Sequence, residues 1–391
     1  MEPKILVLDG NQRASLAAVR ALGAQGLWVA VGNTSRKSLA GSSRFCKSET
    51  TYSDPSENPR LFFEDVLNSI KRLNVSFVLP ITEVSAYVLL KFRHELPAGV
   101  TLPFPDASSV DQLANKNSLV RIAQEEGLAV PETRICDSPT EGVELLHGIE
   151  QFPVVLKPFK SQILEHDKVV PTKVIIARSR EEAVRAIKEN HFFQYPFSIQ
   201  SFIEGTGQGI FALFDHGTPV CYFSHRRLRE KPPTGGVSVL CESAPVDKVL
   251  RNAAERLLRR AKWHGVAMVE FRVAEDGTGY LMEVNPRFWG SLQLAVDSGI
   301  NFPWLLYLVS VGQHIPASKC RFRRVRWLLG DLDRLYLVLK APPSTYSISF
   351  KLLETLRFLK PNLKTKHEIN RWADPMPFWI ELKQYLRGLR S

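Results

Sequence analysis

Paired cysteines are missing from this sequence. Its 391 residues hold five (Cys46, Cys136, Cys221, Cys241 and Cys320), widely separated and without a C-x-x-C pair. That excludes a disulfide framework or structural zinc site as the organising device and fits a reducing compartment. Long hydrophobic runs are missing too. The longest, Phe302 to Val311, is about half of what a membrane span requires. The start, Met1-Glu2-Pro3-Lys4, lacks signal-peptide anatomy. Walker A, H-E-x-x-H and G-x-S-x-G motifs, internal repeats and low-complexity tracts are all absent. Acidic residues are scarce at one end only: from Lys319 onward 16 Lys or Arg stand against 6 Asp or Glu, so most of the net charge of +11 sits there. The expectation is a soluble, cytoplasmic protein of two or three domains. At 44% hydrophobic and 23% charged it is rich enough in apolar residues to fold around a core.

What is present begins with a βαβ opening. The apolar run in Lys4 to Asp9 stops before Gly10, Arg13 to Leu22 repeats apolar residues at helical spacing, and Trp28 to Val31 reads as a second strand. This predicts a parallel sheet with its functional edge at the strand C-termini. Val75 to Leu79 ends on that edge with Thr82 and Glu83 close behind; Glu83 reads equally as a ligand contact or as a dipole-favourable acid at a helix start. Pro103 and Pro105 mark a boundary. Beyond it, strands and helices alternate but gather antiparallel pairs, which predicts an α+β domain after the first α/β one. Phe152 to Pro158 is an apolar strand that closes on Lys157, Phe197 to Ile203 is another, and Gly205 to Gly209 reads as a glycine-broken turn before a hairpin, Ile210 to Phe214 with Pro219 to Ser224.

The stretch Gly265 to Gly290 carries the chemistry. Val266 to Val273 reads as a strand with Glu270 in its middle, Glu275-Asp276-Gly277 turns the chain, and Tyr280 to Asn285 returns. A period of two puts Leu281, Glu283 and Asn285 on one face, with Glu283 and Asn285 about 6.6 Å apart at Cα. Two carboxylates in an apolar hairpin need a counter-charge. Oxygen ligands from two Glu and one Asn suit Mg²⁺, which takes its remaining ligands from water and nucleotide phosphates. The bland alternative is that these acids pair with Arg272 and Arg287 on a solvated face.

Glu270, Glu283-Val284-Asn285-Pro286-Arg287, Lys157 at the end of its strand and Lys116 in Asn115-Lys116-Asn117 together resemble the ATP-grasp superfamily of carboxylate-amine ligases, in particular those similar to the carbamoyl-phosphate synthase large chain. The resemblance runs to about residue 315. It implies a Rossmann-like pre-ATP-grasp domain at 1–105, an ATP-grasp domain of two α+β subdomains at 106–315 with nucleotide in the cleft between them, and a basic, aromatic-rich helical extension at 316–391. It further implies that Lys116 and Lys157 contact the nucleotide phosphates, and that Gln200, Ser201, Phe202, Ile203 and Glu204 form the hinge against the adenine. Glu270, Glu283 and Asn285 would hold Mg²⁺ or Mn²⁺, and Arg287 would stabilise the transferred phosphoryl group. ATP would activate a substrate carboxylate as an acyl phosphate, which an amine then captures; the competing expectation is an ATP-binding scaffold tethered by its basic tail. Homodimers are common among the relatives. Two features depart from the pattern. Phe159 to Val170 has no glycine to cradle phosphate, leaving Lys160 and Lys168 to cover it, and the hinge turn carries Thr206 and Gln208 where relatives place an acid.

Two further basic features stand out. In His225 to Lys231, alternation sets Arg227 and Arg229 on one side, an arginine fork suited to an acidic acceptor and so a candidate catalytic pair. From Lys319, basic residues interleave with aromatics such as Trp327, Tyr336, Phe358, Trp372 and Trp379. This predicts either packing on the body or peripheral contact of 319–391 with anionic lipid at the inner membrane face or another polyanion; no RNA-binding motif is present, so no specific nucleic acid is expected.

Overall fold

The computed structural model describes residues 3–165, 168–360 and 364–388. The N-terminal segment forms a four-stranded parallel sheet, with Cys46–Thr51, Trp28–Asn33, Lys4–Val7 and Phe77–Leu79 in that spatial order. Both faces are covered, which is why Ile5 and Val7 belong to one apolar core and Leu6 and Leu8 to another, and why the strand reads as a continuous apolar run. At the strand's end Asp9 takes a left-handed conformation, φ 59°. Its carboxylate accepts from the backbone N–H groups of Ile81 and Thr82 at 2.9 and 2.7 Å and from Ser85 Oγ at 2.6 Å, which ties the ends of the first and fourth strands together.

Two short helices follow, Ala107–Ala114 and Lys116–Glu125. The Asn115 side chain caps the second by accepting from the N–H groups of Asn117 and Ser118 at 3.0 and 3.2 Å. That cap fixes Lys116 at the first helical position. A four-stranded sheet then orders Thr133–Cys136, Phe197–Ser201, Val154–Pro158 and Ile175–Ala177 by antiparallel pairing. Leu156, Val154, Phe197 and Ile199 point into a core beneath helices Pro139–His147 and Arg180–Glu189. Lys157, Val155, Ser198 and Gln200 alternate with them and therefore face the other way.

The largest sheet has seven strands, in the order Gly279–Asn285, Gly265–Val273, Thr206–Asp215, Thr218–Lys231, Val237–Ala244, Arg324–Arg326 and Thr365–His367. Several expectations change here. Thr206 to Gly209, read from its glycines as a turn, is strand paired to Glu270 through Val273. Only Gly205 breaks the chain: it sits at φ 144°, where a Cβ would lie 2.1 Å from Val273 O. The glycine-free stretch after Lys157 forms a hairpin, Gln162–Glu165 with Lys168–Pro171; its links to the N-terminal segment include Val169 N donating to Ser56 O at 2.7 Å and Lys168 paired with Glu57 at 2.8 Å.

The C-terminal segment, expected as helical, also supplies two strands to the large sheet, besides helices Leu328–Lys340, Ile348–Leu359 and Met376–Gly388. It packs on the body. Buried Arg20 donates to Asp374 at 2.8 Å and to the carbonyls of Glu368 and Ile369 at 3.0 and 2.9 Å. Arg13 pairs with Glu368 and lies over the Trp327 ring at 4.1 Å. No helix among the described residues is long and apolar enough to cross a membrane.

Candidate active site

The hairpin of Gly265–Val273 and Gly279–Asn285 sets Glu270 directly opposite Glu283, and Met268 opposite Asn285. The expected alternation fails at one point. Phe271 pairs with Leu281, so Met282 is an extra residue in a bulge. Leu281 therefore turns into the core with Phe271 and Val284, and the face it was expected to share belongs to Glu283 and Asn285. Gly209 lies beside Glu270 on the next strand, so no side chain covers that carboxylate from this direction.

The three polar residues touch one another. Asn285 Nδ2 donates to Glu270 Oε1 at 3.2 Å and to Glu283 Oε1 at 2.9 Å. Arg287 donates to Asn285 Oδ1 at 3.4 Å, and Arg227 pairs with Glu270 at 3.5 Å and with Glu230 at 3.1 Å. Burial raises the Glu270 carboxyl above its usual range, the facing Glu283 adds to that, and Arg227 and Arg287 oppose it. A pair of converging carboxylates with an amide oxygen available by rotation of Asn285 is an all-oxygen donor set. The set fits a hard divalent cation such as Mg²⁺.

Lys157 and Lys116 come to the same neighbourhood from the four-stranded sheet and the capped helix. Lys157 is buried, and burial pushes its ammonium down to about 8, with Lys116 adding to the effect and Glu283 and Glu270 pulling the other way. Lys116, also buried, donates to Ser161 Oγ at 3.0 Å. On the face that Lys157 shares, Ser198 Oγ and Gln200 Oε1 are buried without a hydrogen-bond partner. Orphaned polar atoms beside a buried lysine fit a ligand with its own donors and charge. Gln200 holds its amide to Thr133 Oγ1 at 2.9 Å; Ser201, Phe202 and Ile203 are half-buried and Glu204 is exposed on the segment that joins the two sheets.

Not every expected residue arrives here. Leu228 is bulged out of register, so Arg227 and Arg229 face opposite sides of the sheet; Arg229 pairs with buried Asp331 at 2.8 Å. Lys160 pairs with Asp111 at 2.7 Å, and Lys168 with Glu57 at 2.8 Å, both to exposed carboxylates. Glu83, in contrast, reaches the site while also opening its helix after the Thr82 cap. Burial raises its carboxyl, Arg287 and Lys116 oppose this, and Glu283 adds to it. A cavity of about 640 Å³ at the C-terminal ends of the parallel strands is lined by Glu83, Arg287, Thr82, Asn33, Asp9 and Gln162 among others. Asp9 and Gln162 were not singled out from sequence; the stop of the first strand at Asp9-Gly10 was the available signal.

The same arrangement of elements recurs in solved structures. N5-carboxyaminoimidazole ribonucleotide synthetase from Thermus thermophilus is similar with a TM-score of 0.61 at 16% identity, over 82% of each chain. Residues 197–328 match the family model described as ATP-grasp in the biosynthetic pathway with Ter operon. The chain has an ATP-grasp fold. Another similar structure is a biotin carboxylase from Campylobacter jejuni, solved as a β-γ-ATP complex, with a TM-score of 0.64 at 12% identity over 82% of this chain and 74% of that one. An L-amino acid ligase from Bacillus licheniformis gives 0.57 at 18% identity over 79% and 74%. Comparison with curated proteins found no match.

Proposed function

We propose that the chain is an ATP-dependent carboxylate-amine ligase. The observation that carries this is the opposed pair Glu270 and Glu283 with Asn285 between them, set near buried Lys157 and the neighbouring Ser198 Oγ and Gln200 Oε1, which are buried without a hydrogen-bond partner. In this reading Glu270, Glu283 and Asn285 would hold Mg²⁺, which would supply charge neutralisation for the nucleotide phosphates. Lys116 and Lys157 bind those phosphates, and the segment Gln200 to Glu204 lies against the adenine. A substrate carboxylate oxygen attacks the γ-phosphorus, ADP leaves, and an acyl phosphate remains; Arg287 and Arg227 offset its charge. An amine then attacks the acyl carbon and phosphate leaves. Glu83, whose carboxyl is raised by burial at the mouth of the cavity, takes the proton that the amine loses. The similar structures named as a synthetase and an amino acid ligase support carbon-nitrogen bond formation.

The test is ADP release by the purified chain with Mg²⁺ and ATP across a panel of amino acids and acidic sugars. Release that rises only when an acid and an amine are both present supports the ligase. Tight nucleotide binding with no stimulated release would favour the tethered scaffold instead.

For the C-terminal segment, contact with an anionic lipid surface at the cytoplasmic face fits one feature. Ile348, Leu352, Leu356 and Leu359 stand exposed along the helix Ile348–Leu359, next to Arg357 and Lys360. Co-sedimentation with phosphatidylserine vesicles at low salt checks it, and a chain that stays in the supernatant contradicts it.

A further inference from the structure

The arginines that do not reach the carboxylate pair gather elsewhere. A cavity of about 890 Å³ lies between the large sheet and the C-terminal helices, and Arg229, Arg324, Arg326, Arg334, Arg357 and Lys360 all line it. Three buried carboxylates hold these arginines, each shared between two guanidinium groups. Asp331 takes Arg229 at 2.8 Å and Arg326 at 2.6 Å. Glu354 takes Arg334 at 2.6 Å and Arg357 at 2.8 Å. Glu242 takes Arg324 at 3.0 Å, together with Arg226. Sharing leaves cationic charge in excess around a concave space.

It also leaves donors over. Arg229 Nε, Arg326 Nη2 and Arg334 Nε are buried and have no hydrogen-bond partner. Buried donors without partners are expensive to keep, and a guanidinium fork is shaped to receive two oxygens of one anion. The remaining walls are apolar, with Phe350, Leu228, Leu240 and Leu359, and the Arg326 guanidinium lies over the Phe358 ring at 4.2 Å. The bulge at Leu228 explains the placement. Leu228 out of register turns Arg229 onto the face of Leu240, and Leu240 pairs with Arg326 on the neighbouring strand. The cavity therefore belongs to the opposite side of the sheet from the Glu270 cluster.

We propose that this cavity is a second binding site, for an organic molecule carrying a phosphate group: the arginines take the phosphate, and the Phe350 and leucine walls take the organic portion. It is independent of the ligase reading. Phosphate esters come from two sources, soluble metabolites and lipid headgroups, and the site chemistry serves either.

The experiment is calorimetric titration of the full chain with inorganic pyrophosphate and with glycerol 3-phosphate. Each is repeated in a Lys157→Met background, in which the nucleotide cleft binds phosphate about tenfold or more weakly. Binding that persists in that background and weakens by about tenfold or more in Arg324→Gln/Arg357→Gln supports the site. Because that double variant removes carboxylate partners, its melting temperature is measured alongside, and Arg357→Gln alone, at the exposed rim, is used if the double variant melts early. Absence of binding, or binding unchanged by the arginine variants, overturns the proposal. Vesicles of phosphatidic acid separate the sources. Arginine-dependent sedimentation assigns a lipid headgroup; glycerol 3-phosphate binding without sedimentation assigns a soluble ester.

Discussion

Glu270 and Glu283 face each other across a single antiparallel pair of strands, and the Asn285 amide donates to both, at 3.2 and 2.9 Å. Like charges directly opposite on adjacent strands destabilise a sheet. The arrangement works against stability and yet draws in a bridging amide and two arginines; under the proposed function it holds a cation, and removing one carboxylate is expected to affect stability and chemistry in opposite directions.

Glu283→Gln is expected to leave the fold intact or more stable by about 0.2–1 kcal/mol, since it removes one of two facing charges. Stimulated ADP formation should fall on the order of 10²–10³-fold. Denaturant unfolding and an ADP-coupled assay on the same preparation read both; turnover close to that of the parent would show that Glu283 is not a metal ligand.

Lys157→Met separates binding from folding in the same way. The side chain is buried, and burial already holds its ammonium down to about 8, so the charge itself opposes folding at neutral pH. Replacement by an apolar chain of similar length should keep or raise the melting temperature while nucleotide affinity drops by about tenfold or more. A melting temperature that collapses would mean that Lys157 serves the fold.

The same lysine sets a pH dependence. Its pKa in the folded chain is about 8, against 10.5 for an ordinary lysine. Between those values the unfolded chain holds the proton and the folded one has lost it, so this group makes folding more favourable as pH rises through that window. Nucleotide binding runs the other way, because the phosphates need the ammonium. Affinity for ATP should therefore fall as pH rises past about 8, with proton uptake on binding at pH 9; an affinity flat from pH 7 to 9.5 would contradict it.

Asp374→Ala tests how the C-terminal segment is held. Arg20 is buried against Asp374 at 2.8 Å, and Ser43 Oγ donates to the same carboxylate at 2.7 Å. Leaving Arg20 unpaired should cost about 3–5 kcal/mol in chemical denaturation. Arg20→Met combined with Asp374→Leu should recover most of that loss; equal losses in the single and double variants would rule out the ion pair as the cause.

The fold was legible where a pattern was local and repeated. The apolar run before Gly10, the alternation around Glu270, the acid-x-Asn-x-Arg spacing from Glu283 to Arg287, and Lys157 at a strand end could all be read directly. The bulges could not. One extra residue, at Met282 or at Leu228, reverses every side chain beyond it, and nothing in composition marks the position. Thus Leu281 left the face of Glu283, and Arg229 left the face of Arg227. The strands Arg324–Arg326 and Thr365–His367 are three residues each and basic, so they carry no period of their own and form only because the large sheet offers an edge. Glu83 was visible as a helix-opening acid, but its approach to Arg287 depends on how two domains meet.

Under the proposed function Glu270, Glu283 and Asn285 bind magnesium beside a nucleotide. Calorimetric titration of a non-hydrolysable ATP analogue with and without Mg²⁺, on the parent chain and on Glu270→Gln/Glu283→Gln, addresses it most directly. The expected result is that Mg²⁺ tightens binding to the parent by about tenfold or more and does nothing for the double variant, whose residual affinity comes from Lys116 and Lys157. Equal tightening by Mg²⁺ in both proteins would contradict it.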